Sequence, residues 1–195
     1  MVAKILVQEM DGTPKQIVFA DHATDFNPTA ANDLRITTDG SKELDVQFNF
    51  EGVTNNSYRQ SAKVDLGENR ARRYKCRAAL EFATAPTAGN TVDVYWAPSP
   101  SATAGTANPA GVSGTDSAYT GYSSNADASI KQADFIGYFS CTAQATATIQ
   151  VGEVGILEPS ERYGSLIVKD ASGVTLHSDA VEIHIVLDPI VEESQ

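Results

Sequence analysis

The sequence predicts an all-β protein: one antiparallel β-sandwich or jelly-roll-like domain over residues 1–195, with extended termini and a long ordered loop of small residues at 97–129. Three observations carry this reading. Several runs alternate apolar and polar residues with period two, the mark of half-buried strands. No window of helical length shows a 3.6-residue apolar stripe. Turn residues separate the runs at strand-like intervals, and eight to eleven strands so spaced read as a sandwich or jelly roll.

In chain order, Lys4–Gln8 and Lys15–Ala20 flank Asp11-Gly12-Thr13-Pro14 and read as a hairpin. Leu44, Val46, Phe48 and Phe50 alternate with Asp45, Gln47 and Asn49. Tyr74, Cys76, Ala78, Leu80 and Phe82 form a second alternating set, and Val92, Val94 and Trp96 a third. Ala133–Cys141 and Ala145–Leu157 are glycine-punctuated β runs. Ser165–Lys169 and Val174–His177 flank Asp170-Ala171-Ser172-Gly173 as another hairpin candidate. Val181, Ile183, Ile185 and Leu187 close the series as a core-facing set, with His184 on the other face. Short helical turns fit Ala30–Asp33 and Asp116–Tyr122.

The stretch from Tyr95 to Ser129 is almost wholly Ala, Ser, Thr, Gly, Pro, Asn and Asp, with no Lys or Arg. That composition suits a flexible linker. Val112, Tyr119 and Tyr122 are spread through it as apolar anchors, however, and neither flank supplies a full core alone. An ordered excursion follows, lying against the protein's own sheet or a neighbouring subunit; small side chains let its backbone approach closely.

Composition excludes several functions. The 25 acidic residues outweigh 14 basic ones, a formal charge of −11, and such a field repels nucleic acid over most of the surface. No run of about 20 apolar residues is present to span a membrane. The start MVAKILVQEM lacks the apolar core of a signal peptide, which predicts synthesis in a cytoplasm. Cys76 and Cys141 read either as two buried thiols or as a disulfide across a sandwich with Trp96 between them; a cytoplasmic origin argues against the bond.

The search for chemistry is negative. His177-Ser178-Asp179 suggests a triad only by adjacency, and triads are defined by geometry. Asp39–Asp45 offers alternate oxygens but misses the spacing of a calcium loop. Glu192-Glu193 and other carboxylate pairs are scattered on turns and termini. The sequence therefore predicts no enzyme, no cofactor and no metal. One basic cluster stands out: on a strand, Arg73, Lys75 and Arg77 share a face, which suits a solvated surface, a protein interface or a polyanion. With Val112, Tyr119 and Tyr122 they are the candidate interface residues.

The run Thr87–Pro100, together with Ala110–Gly114, Tyr119-Thr120-Gly121-Tyr122 and Arg162–Leu166, resembles structural proteins of tailed bacteriophages and prophages. The resemblance spans roughly residues 58 to 190, is one of overall texture, and carries over no site residues. It implies a virion component made in a bacterial cytoplasm. Capsid decoration, cement, or a tail or head–tail accessory all fit, with copies of itself and other virion proteins as partners. A glycan-binding module on a tail or fibre, stacking sugars on Tyr95, Tyr119 and Tyr122, is the alternative.

Overall fold

A computed structural model describes residues 5–6, 14–36, 42–146, 148–178, 181–190 and 193–194. Its strands are β1 (Ile5–Leu6), β2 (Gln16–Ala20), β3 (Glu43–Gln47), β4 (Tyr58–Gln60), β5 (Val64–Asp65), β6 (Tyr74–Leu80) and β7 (Thr91–Ser99). They continue as β8 (Ser117–Ala118), β9 (Asp134–Ser140), β10 (Gln150–Leu157), β11 (Tyr163–Ala171), β12 (His184–Pro189) and β13 (Glu193–Ser194). A single-turn helix α1 (Ala126–Ser129) and three short 3₁₀ turns complete the described elements.

The all-β class holds, but the arrangement is not two facing antiparallel sheets. Eleven strands form one curled sheet in the order β3-β2-β12-β6-β10-β9-β7-β11-β4-β8, with β5 also on β11. The sheet is mixed, because β2 and β3 run parallel while the other pairs are antiparallel. Its two ends approach each other: the Ala62 amide, two residues past β4, donates to the carbonyl of Gln47, the last residue of β3, at 3.0 Å.

Curling gathers one set of alternate side chains into a single core. Ile17 and Phe19 of β2, Cys76 and Leu80 of β6, Val92, Val94 and Trp96 of β7, Leu166 and Val168 of β11, and Ile185 and Leu187 of β12 all point inward and are at most 1% exposed. Phe48 and Phe50 stack at 4.5 Å beyond β3. Each such side chain contributes about 1.5–3 kcal/mol on burial. Gly164 admits the Trp96 ring, since a Cβ there would lie 2.1 Å from Cζ2.

Several local expectations need correction. Residues 4 and 7–13 of the first hairpin lie outside the described residues, and the described part of its first strand, β1, pairs with β13 rather than with β2. The second hairpin also fails: Leu176 bridges to Phe82 instead of returning along β11. The last core strand starts at His184, not Val181, because the chain turns at 181–182. Val181 is therefore half-buried, whereas Ile183, Ile185 and Leu187 keep their core positions. Strand β10 begins at Gln150, not 145. Residues 30–32 form a turn without helix, and 116–122 contains β8. Cys76 and Cys141 are buried and unbonded, and burial pushes both thiols up, Cys141 to about 12.

Two substitutions test the packing. Ile183→Asp places an unpaired carboxylate in the core; near-UV circular dichroism is expected to show loss of the fold, and a native spectrum would contradict the face assignment. Gly164→Ala presses on Trp96 and is expected to lower stability by about 1–3 kcal/mol in urea titration.

Candidate interaction surface

A curled sheet has an outer face as well, and here much of it is apolar. Val18, Ala79, Val186 and Ile167 lie on the outside of their strands yet are 0% exposed, because irregular segments cover them.

The small-residue excursion covers one sector. Leaving β7, it lays Ala110, Val112, Tyr119 and Ile130 over Tyr58 of β4 and Ile167 of β11. The Tyr119 hydroxyl donates to the Ala110 carbonyl at 2.7 Å, and its ring meets Tyr58 edge-on at 5.7 Å. Asn108 ties the loop to itself through the carbonyls of Ala104 and Val112. Small residues are required by this layering: a Cβ on Gly114, at φ 72°, would sit 2.1 Å from the Ala104 oxygen. From the sheet, Gln60 exchanges bonds with Ser113, accepting from its amide and donating to its hydroxyl. The Lys63 ammonium donates to Ser99 Oγ and to the carbonyls of Ser101, Thr103 and Thr106, at 2.8–3.0 Å. Burial lowers the Lys63 pKa. At the far end Asp127 of α1 accepts from both the Tyr58 hydroxyl and Lys169, which lies over the Tyr58 ring; these bonds lower the exposed Asp127 carboxyl.

A second segment, residues 21–36, straps the outside of β2, β12 and β6. Leu34 packs on Val18, Ala79 and Val186, with Phe26 and Ile149 at the margins. The Leu34 carbonyl accepts from Gln16 and Arg77, and Asp188 accepts from the same two side chains.

Between these covers no described segment lies over the outer face of β9 and β10. Phe135 is 55% exposed, Tyr138 53%, and Val151 and Ile156 49% each. Tyr95 leans on Phe135 at 5.1 Å between ring centres. The rim carries Asp93, opposite Tyr138, and Glu153, which is paired with Lys75 at 2.6 Å.

The residues singled out in the sequence fall differently. Lys75 and Arg77 share the outer face of β6 and each holds a carboxylate of its own chain, Glu153 and Asp188 respectively; Arg73, one residue before β6, is half-buried and has its own partner. Val112 and Tyr119 are 6% and 3% exposed beneath the excursion. Of the six, only Tyr122 is open, at 49%. Sequence reasoning missed the β9–β10 sector. The signal was present in Phe135 and Tyr138, but bulges at Val94/Tyr95 and Glu153/Gly155 shift the alternation and disguise which residues face out.

Among the described residues no reactive constellation accompanies this surface. His177 lies 3.9 Å from Glu81, and Asp179 is outside the described residues. Residues 39–41 of the calcium-like turn are also outside them. Asp21, Asp25 and Glu51 bring carboxylate oxygens within 4.8 Å of one another, with Asp21 oriented by the amides of Gln47 and Asn49. Acidic groups gather in this way commonly without an ion, and the cluster alone defines no metal site. A groove of about 450 Å³ between β3 and β5 is lined by Ile17, Leu44, Val46, Val64 and Leu66 and opens onto the core. Among the described residues no helix is long and apolar enough to cross a membrane. No family model matches the chain, and no curated protein matches it.

Lys63→Met removes the donor shared by four loop oxygens. A loss of about 1–3 kcal/mol is expected, with faster amide exchange at Thr106, whose N–H bonds Thr103 in the same turn. Unchanged exchange there would show that the ammonium does not hold the loop.

Proposed function

We propose that the chain is a structural interaction subunit that docks through the outer face of β9 and β10. One observation carries the reading: among the described residues the chain covers its outer face on both flanks and leaves the β9–β10 sector uncovered, with four half-exposed apolar side chains grouped on two strands. Grouped exposure of this kind marks a protein contact, whereas scattered apolar residues do not. The charge of −11 favours a different protein, one with an apolar patch edged by Lys or Arg, over a second copy bringing the same charges. Combined with the resemblance to tailed-phage structural proteins, the assembly to examine is a virion, in which the chain serves as a capsid decoration protein or a tail or head–tail accessory. The glycan-binding alternative loses one of its three stacking residues, since Tyr119 is buried.

The test pairs Phe135→Ser with Tyr138→Ser in one variant, both at exposed positions. The fold should survive, and binding to particles lacking the protein should weaken at least tenfold, while Tyr122→Ser binds normally. Unchanged binding would move the interface off this sector. Absence of the chain from purified particles would remove the virion reading, and a concentration-dependent dimer abolished by the same pair would make the partner a second copy.

A further inference from the structure

The strap over β2, β12 and β6 is fastened at its centre by a histidine whose protonation state the geometry fixes. His184 is 0% exposed on the outer face of β12. Its Nδ1 faces the Glu182 carbonyl at 2.6 Å, an acceptor only, so Nδ1 carries the proton. Its Nε2 faces the Leu34 amide at 3.0 Å, a donor only, so Nε2 must be unprotonated. A second proton on the ring would set two N–H groups against each other at the Leu34 bond.

We propose that protonation of His184 releases the 21–36 strap and extends the exposed apolar sector of β9 and β10 across β6 to β12. The inference rests on reading that sector as the docking face. The register supplies the continuity: Ala79 of β6 pairs with Val151 of β10 on one side and with His184 of β12 on the other. Lifting Leu34 therefore uncovers Ala79 and Val186 directly beside the bare face.

The surroundings oppose the charged ring. Burial is the largest influence and lowers the His184 pKa. Arg35 of the strap and Arg77 of β6 act in the same direction. Asp33 of the strap and the Glu182 carbonyl favour the cation, but Asp33 is held by Arg35 through a two-pronged pair. The Glu182 carboxylate is engaged with Thr29 and Asn32, and Asp188 with Gln16 and Arg77. On the strap's inner side Phe26 separates His184 from His22, at 5.2 and 5.1 Å. His22 in turn faces the Val18 carbonyl and, at 3.8 Å, Asp45.

The sign follows. The closed strap prefers neutral His184, whereas an open strap gives it the ordinary pKa of about 6.5. Closure is thus fully favoured above that value and weakens as pH falls below it. Each pH unit multiplies the opening constant by up to tenfold, so between pH 7.5 and 5.0 the change reaches ~30-fold.

Hydrogen exchange on the isolated chain reads this directly. The expected result, after correction for intrinsic exchange, is a loss of protection of up to ~30-fold at the Leu34, Ile36 and Asn27 amides at pH 5.0 relative to 7.5, with the β7 and β11 amides unchanged. His184→Gln offers a non-titrating acceptor to Leu34 and should flatten the dependence. Constant protection at Leu34, or an undiminished pH dependence in the Gln variant, would overturn the proposal. Should that variant not fold, the wild-type ring titration by nitrogen NMR decides: its midpoint must match that of Leu34 exchange, and separate midpoints overturn it. Particle binding is measured separately. Loss of the docking reading there leaves the exchange result standing, and failure of the exchange result leaves docking through Phe135 and Tyr138 untouched.

Discussion

The architecture depends on one constraint: a single sheet curled on itself can bury only one of its faces. Trp96, Phe19, Leu166 and Ile185 fill the inside, and Gly164 gives the Trp96 ring its space. The outside still carries Val18, Ile167 and Val186, which water penalises by the same area rule. Long irregular segments must therefore fold down on the outer face, and their backbones must find partners there. The excursion between β7 and β9 and the strap between β2 and β3 meet that need by different means.

The two covers differ in what holds them. The excursion is pinned at several points by Gln60, Lys63, Tyr58 and Lys169, with a small apolar core of its own. The strap buries fewer apolar side chains and relies on polar bonds converging on Leu34, including the one to His184. A single titratable group thus weighs more heavily in the strap than in the excursion. Between them the β9–β10 face is left with its aromatics in water.

The inward positions were legible in the sequence because period-two alternation survives in β6 and β7: Tyr74, Cys76, Ala78 and Leu80, then Val92, Val94 and Trp96, all reach the core. The excursion's tendency to pack was legible in Val112 and Tyr119, and the structure shows them on the chain's own sheet. Strand partners were not legible. Lys15–Ala20 pairs with β12 and β3, drawn from opposite ends of the chain, and no local turn signal reports such pairings. The bare sector was hidden by bulges, and the carboxylate partners of the basic cluster, Asp188 and Glu153, were not legible because they are distant in sequence.

The central claim, that the described segments cover the outer face on both flanks of β9 and β10 and leave those two strands open, is tested most directly by hydroxyl-radical footprinting of the purified protein at neutral pH. Phe135 and Tyr138 are expected to oxidise readily, with Tyr58, Tyr119 and Trp96 protected, in line with exposures of 55% and 53% against 8%, 3% and 0%. Oxidation of Tyr58 and Tyr119 at the rate of Tyr138 would mean the excursion does not lie on the sheet, and the account would fail.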